Sequence, residues 1–179
     1  YLEDPVWGLR GMARVNSQCP WLPLASNMSV ATPDDFSSAI TLEAVDVILV
    51  DPHFYGGLRQ ARYAAATLEM FQVDLSMHSQ GEFGISMAAQ LHLASVMPGL
   101  TYAADAHYHH LVDDIISGGP INCEEGEMRV PSGPGLGVTL DRDKLKEFSA
   151  LAGNYGTAPQ TSITGDPMEL QHLPVLPRW

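Results

Sequence analysis

Residues 46–52 read DVILVDP and residues 74–79 read DLSMHS. Each is a short apolar run without polar alternation, closed by a side chain that can exchange a proton: Asp51 in the first, His78 in the second. Runs of this kind suit parallel strands covered on both faces, and Pro52 marks a strand end. WLPLASN at 21–27 and TYAAD at 101–105 repeat the form, and YLED at 1–4 reads as the end of an earlier strand.

Helical text lies between these runs. Residues 33–44 open with Pro-Asp-Asp, an acidic first turn that suits the helix dipole. Residues 56–71 space Leu58, Ala61, Ala65 and Leu68 on one face, and residues 81–97 do the same with Ile85, Ala88, Ala89 and Leu93 until Pro98-Gly99 stops them. The pattern is strand, helix, strand, helix.

The residues closing successive strands recur at even intervals: Glu3 to Asn27 and Asn27 to Asp51 are 24 apart, and Asp51 to His78 and His78 to Asp105 are 27 apart. Strict βα alternation builds either a doubly wound sheet or a closed barrel. An open sheet gathers its site at one switch point, whereas a barrel collects side chains from the ends of many strands at one face. One polar residue per unit favours the barrel, so the fold class read here is α/β, the C-terminal portion of a (β/α)8-type barrel. A whole barrel takes about 250 residues, and a chain of 179 that opens on Tyr1 instead of Met is expected to lack the earlier strands.

Three stretches follow: βα units over residues 1–117, a barrel-closing loop with short strands and a helix over 118–153, and a Pro-, Thr- and Gln-rich tail over 154–179. Within the second, a helix is expected over 141–152, closed by Gly153. GPGLG at 133–137 lacks the GxGxxG spacing and the strand-before, helix-after setting of a phosphate cradle, and reads as a turn.

Composition removes several function classes. Twenty-one acidic residues against nine Lys and Arg give a formal net charge of −12, which excludes a phosphate-tracking basic surface. Cys19 and Cys123 show no CxxC or Cys/His spacing, so neither a disulfide scaffold nor a zinc site is expected and a reducing, cytoplasmic setting fits. No run approaches the roughly 18 apolar residues of a membrane span. No Gly-x-Ser-x-Gly elbow or strand-end Cys offers a nucleophile.

What remains is proton transfer beside a metal. A hard cation such as Mg²⁺ takes oxygen ligands and keeps some waters, and Glu3 and Asn27 stand at neighbouring strand ends with such oxygens. Taken singly, Glu3 also reads as a solvated acid, and Asn27 as a turn former or helix cap. His78 reads as a general base whose other ring nitrogen is held by Asp51; the alternatives are a core histidine satisfied by backbone and an Asp-Pro turn. His53 reads as a loop residue, His92 as helical, and His107, His109 and His110 as a loop cluster in which metal binding and plain surface exposure compete.

YLEDP, PLASNM, LVDPHFYGG, SMHSQGEFGIS and PSGPGLGV, in that order, resemble the C-terminal barrel of the glucarate dehydratase group of the enolase superfamily. The resemblance implies an N-terminal capping domain and early barrel strands that are absent from this chain. It implies that Glu3 and Asn27 ligate Mg²⁺, that Asp51 and His78 move the proton beside the substrate carboxylate, and that Asn27, His78, Ser79, Gln80 and His107 contact the substrate. The implied reaction removes the α-proton of an acid sugar, D-glucarate or a related aldarate, and expels the β-hydroxyl as water. The family's third metal carboxylate and its Lys-x-Lys strand have no counterpart here, and Gln80 stands where an Asn is common in the group. This chain alone is expected to be inactive, to need the missing N-terminal portion, and to assemble as a homo-oligomer. The competing reading is a noncatalytic subunit that contributes structure to a complete partner.

Overall fold

The computed structural model describes residues 1–79 and 81–155. They fall into two units, one over Tyr1–Leu140 and a second that begins at Asp141.

The first unit is built on a four-stranded parallel sheet, β1 (Leu2–Glu3), β2 (Leu24–Ser26), β3 (Val47–Val50) and β4 (Asp74–Met77), in the order β1-β2-β3-β4. Each strand pairs with the next in sequence, so the order has no switch point and follows the barrel alternative. Helices α1 (Leu9–Gln18), α2 (Phe36–Thr41) and α3 (Leu58–Met70) fill the three crossovers, and α4 (Gly84–Ala94) follows β4.

The two faces of the sheet do different things. Leu24, Ile48, Val50, Leu75 and Met77 share one core with Met12, Phe36, Ala39, Ala61, Ala65, Leu68 and Leu93 from all four helices. Alternate residues Ala25, Val47 and Leu49 form a separate small cluster with Tyr102 on the opposite face, and no helical residue joins it. Strand side chains alternate sides, so continuing the inner set along each strand leads from Ala25 to Asn27, from Leu49 to Asp51 and from Ser76 to His78. Apolar side chains fill the inner face and polar ones close its C-terminal end.

Local chemistry explains the helix boundaries. Thr32 and Asp35 form a reciprocal capping box ahead of a 3-10 turn at Pro33–Asp35, which leads into α2; the expected helix over 33–44 is therefore split and ends at Thr41. In α3, Ala64 joins Ala61, Ala65 and Leu68 in the core, while Leu58 in the first turn is 39% exposed. In α4 the buried set is Gly84, Met87, Ala88, Gln90 and Leu93, not Ile85 and Ala89.

Two elements depart from the sequence reading. Helix α1 was not foreseen: it has no side-chain cap and no acidic first turn, it starts after Gly8 at φ 75°, and it buries only Met12. The expected strand over 101–105 does not form a regular ladder. Leu100 makes an isolated bridge to Leu75, and the Thr101 and Tyr102 amides both donate to the same carbonyl, that of Leu75, at 3.1 and 3.2 Å. Two residues opposite one is a bulge that interrupts regular pairing. The segment still follows β4, because Asp105 N–H donates to Met77 O at 3.0 Å and Ser76 Oγ to Ala103 O at 2.9 Å.

Beyond it, Tyr108–His110 is a 3-10 turn, and β5 (Cys123–Glu124) and β6 (Glu127–Met128) make an antiparallel hairpin. GPGLG is a turn, with Gly133, Gly135 and Gly137 all at positive φ and Gly137 N–H donating to Pro134 O. In the second unit, α5 spans Arg142–Tyr155, its start held by Asp141 Oδ1, which accepts the Asp143 and Lys144 amides at 3.0 Å each. The helix continues through Gly153, so that glycine does not close it; a helical Gly costs only about 1 kcal/mol relative to Ala. The expected tail beyond Tyr155 lies outside the described residues.

Candidate active site at the strand ends

Asp51 follows β3 directly and His78 follows β4 directly; Val50 pairs with Met77, so the two are level on adjacent strands. His78 Nδ1 is 2.9 Å from Asp51 Oδ2, and both residues are buried, at 8% and 2% exposure. His78 N–H donates to Val50 O at 3.1 Å, which fixes the backbone from which the ring hangs.

Burial works against charge on both partners, and the pair overcomes it. Desolvation alone would raise the Asp51 carboxyl, but hydrogen bonds from His78 and His53 hold it below the usual carboxylate range. Desolvation alone would lower the His78 imidazole, but its bond to Asp51 and the charges of Asp51, Glu3 and Asp105 raise it. An ionised carboxylate has no hydrogen to give, so the facing Nδ1 carries the proton and Nε2 of neutral His78 is the basic nitrogen. Among the described residues that Nε2 has no hydrogen-bond partner.

His53 also converges on Asp51, which the sequence did not disclose. Its backbone N–H donates to Asp51 Oδ1 at 2.8 Å, its ring Nδ1 lies 2.7 Å from the same oxygen, and its Nε2 is 3.0 Å from Ser86 Oγ. The signal was the Asp-Pro-His triplet: an Asp side chain that captures the amide two residues on makes an Asx turn, which folds that residue back over the carboxylate. The next residue, Phe54, sets its ring 6.4 Å from that of His78.

Glu3 closes β1, which pairs through Leu2 with Leu24 and through Glu3 with Ala25. Partial desolvation, then the charges of Asp4 and Asp105, push its carboxyl up, while His78 and His107 pull it down. Glu3, His78, Asp105 and His107 therefore share one electrostatic neighbourhood. Neighbouring Asp4 is already committed to the chain: it accepts Ser26 Oγ at 2.5 Å and the Asn27 and Met28 amides at 3.1 Å each. Asn27 is buried at that turn.

The other expected contacts are placed unevenly. Ser79 is buried and donates its hydroxyl to Glu82 at 2.6 Å, and Gln90 Nε2 donates to the same carboxylate at 3.2 Å. His107 is exposed, with Nε2 3.7 Å from Asp105 Oδ2. Gln80 lies outside the described residues. The His109 and His110 rings lie tilted against each other, with centroids 3.9 Å apart, on the exposed turn. Among the described residues no group of three or more His, Cys, Asp or Glu side chains is placed to hold a metal. Glu3 and Asn27 do carry oxygen donors of the kind a hard cation takes, and Asp4 and Asp105 add negative charge around Glu3.

The pattern of the enolase C-terminal domain-like family matches residues 1–144. The chain belongs to that family. Within it, a "Probable glucarate dehydratase" of Streptomyces coelicolor is 42% identical over 145 residues, covering 81% of this chain and 33% of that protein. "Muconate cycloisomerase 1" of Rhodococcus opacus is 29% identical over 83% of this chain and 40% of that protein. A solved enolase of Thermobispora bispora, complexed with magnesium and formate, superposes with a TM-score of 0.83 at 41% identity, covering 87% of this chain and 37% of that one. The chain therefore spans a third to two fifths of the length of these family members, and it corresponds to the C-terminal barrel portion of a larger enolase-superfamily fold. No helix among the described residues is long and apolar enough to cross a membrane.

Proposed function

We propose that the protein carrying this chain is a Mg²⁺-dependent acid-sugar dehydratase, acting on D-glucarate or a related aldarate. The observation that carries the reading is the buried His78–Asp51 pair at the polar end of the inner sheet face, with Nε2 of His78 unpartnered among the described residues and Glu3 in the same electrostatic neighbourhood. The names of the relatives support it: a probable glucarate dehydratase is the more similar of the two named above, at 42% identity against 29% for the muconate cycloisomerase.

In this reading, neutral His78 takes the proton on the carbon next to the substrate carboxylate. The C–H bond breaks, an N–H bond forms at Nε2, and the electron pair delocalises into the carboxylate. Asp51 holds the imidazole in the tautomer that leaves Nε2 free and stabilises the imidazolium that results. The pair then forms the carbon–carbon double bond as the β carbon–oxygen bond breaks, and the proton on His78 returns to the departing hydroxyl, which leaves as water. Tautomerisation of the enol gives a 2-keto acid.

Glu3 and Asn27 are the residues proposed to hold Mg²⁺, which when bound supplies positive charge to the carboxylate and lowers the cost of α-proton removal. The remaining ligands come from water, substrate or polypeptide outside this chain. Ser79, Gln80 and His107 are proposed to face the substrate. A cytoplasmic setting fits Cys19 and Cys123, both of which are free thiols.

The test is an assay of the protein carrying this chain for 2-keto acid formation from D-glucarate and other aldarates, with Mg²⁺ and with chelator. Turnover that needs Mg²⁺ and falls about 10²- to 10⁴-fold in His78→Asn is expected. Undiminished turnover in that variant would remove His78 from the base role and end this reading.

A further inference from the structure

Asp51 carries two carboxylate oxygens, and the structure assigns each to a different imidazole. Oδ2 lies 2.9 Å from His78 Nδ1, and Oδ1 lies 2.7 Å from His53 Nδ1 and accepts the His53 amide at 2.8 Å. We propose that His53 is a positioning residue for the proton-transfer pair, fixing the plane of the Asp51 carboxylate through a hydrogen-bonded chain that runs Ser86, His53, Asp51, His78. This inference rests on the reading of His78 as the base.

The hydrogen-bond direction in the chain is determined by chemistry. Ionised Asp51 only accepts, so both Nδ1 atoms facing it carry hydrogen when the rings are neutral. Nε2 of His53 then has a lone pair, and the partner 3.0 Å away, Ser86 Oγ, donates to it. Free imidazole has no such constraint; Asp51 and Ser86 together impose the tautomer. With one oxygen held by a ring and an amide, the carboxylate cannot rotate away from His78, and the base keeps its aim.

Three features separate this from ordinary packing. The His53 ring is half exposed, at 47% of its side-chain surface, so no core depends on it. Its amide is held by Asp51 whatever the side chain is, so the turn survives substitution. The Phe54 and Tyr55 amides also return to Asp51 O, at 3.2 and 3.0 Å, which pins the loop independently of the ring.

The experiment compares His53→Leu, His53→Asn and Ser86→Ala in the protein carrying this chain. Leucine removes the donor; asparagine keeps an amide N–H near the place of Nδ1 but loses the link to Ser86. The leucine variant is expected to lose about tenfold in kcat with KM changed less than about twofold, the asparagine variant to recover most of it, and Ser86→Ala to fall between. Equal impairment of the leucine and asparagine variants, or unimpaired leucine, overturns the proposal. A second measurement is independent of any substrate: ¹⁵N-histidine NMR followed to the high-pH limit at which the histidine signals stop changing. His53 and His78 are expected in the Nδ1–H form. An Nε2–H form at His53 overturns the proposal even if the protein is active, and absence of acid-sugar turnover with both rings Nδ1–H sinks the dehydratase reading alone.

Discussion

Asp51 and His78 lie 27 residues apart in sequence and 2.9 Å apart in space, because Val50 and Met77 are register partners on adjacent parallel strands. The pair is a product of strand register, and a one-residue slip would turn one of the two to the helix side of the sheet. Replacing the acid is therefore a test of the pairing itself. Asp51→Asn keeps shape but offers an N–H where a carboxylate accepted, so His78 is driven toward the wrong tautomer; turnover is expected to fall about 10²- to 10⁴-fold, as read by kcat. Full activity in this variant would show that the acid is dispensable.

The same pair makes stability depend on pH in a defined direction. His78 is raised in the folded protein, so its contribution is complete below about 6.5 and is lost as pH climbs through the raised folded value. Asp51 is lowered, so its contribution is present above about 3.9 and is lost as pH falls through the depressed value. Between about 4 and 6.5 both are charged and paired in the fold. Denaturant midpoints of wild type and His78→Asn are expected to differ most in that window and to converge above neutrality. A gap that widens with rising pH would contradict the sign.

Partial burial raises the Glu3 carboxyl first, and the like charges of Asp4 and Asp105 raise it further. A bound cation relieves that repulsion, and Glu3→Gln removes the charge that draws it. Titration calorimetry with Mg²⁺ alone is expected to show binding weakened by about tenfold or more in the variant. Unaltered affinity would place the cation elsewhere.

Gly84, the first residue of α4, has no room for a methyl group. A Cβ there would lie 2.5 Å from Ile116 Cδ1 and 2.6 Å from Asp114 Oδ2, while Gly84 N–H donates to Asp114 Oδ1 at 2.9 Å. Asp114 is fully buried and also accepts the Tyr108 hydroxyl and the Ile115 amide. Gly84→Ala is expected to cost about 1–3 kcal/mol through overpacking, whereas Gly81→Ala, with nothing within 4 Å, changes the melting temperature little. Equal melting temperatures for the two variants would mean the Asp114 segment yields freely.

Strands β2, β3 and β4 were legible because each is an apolar run ending at a polar residue, and a parallel strand under helices must be apolar throughout. Helix α1 was not, because its start is a glycine with no capping side chain and only Met12 is buried, so its stability comes from docking instead of local signals. The segment after Gly99 was read as a strand from its apolar text, and the ladder failed because two amides compete for the Leu75 carbonyl, which composition does not encode.

The sequence by itself determined the βα repeat and the polar residue closing each strand, and it brought Asp51 and His78 to one face as candidates for a pair, since alternation along a strand fixes which side chains share a face. Only the tertiary structure decided that Asp51 divides its two oxygens between His78 and His53, and that Ser79 turns to Glu82. Those choices depend on where a loop folds back and which rotamer a buried group can satisfy. Hydrogen-bond geometry of that kind is settled to tenths of an ångström by packing, and residue spacing along the chain carries no such information.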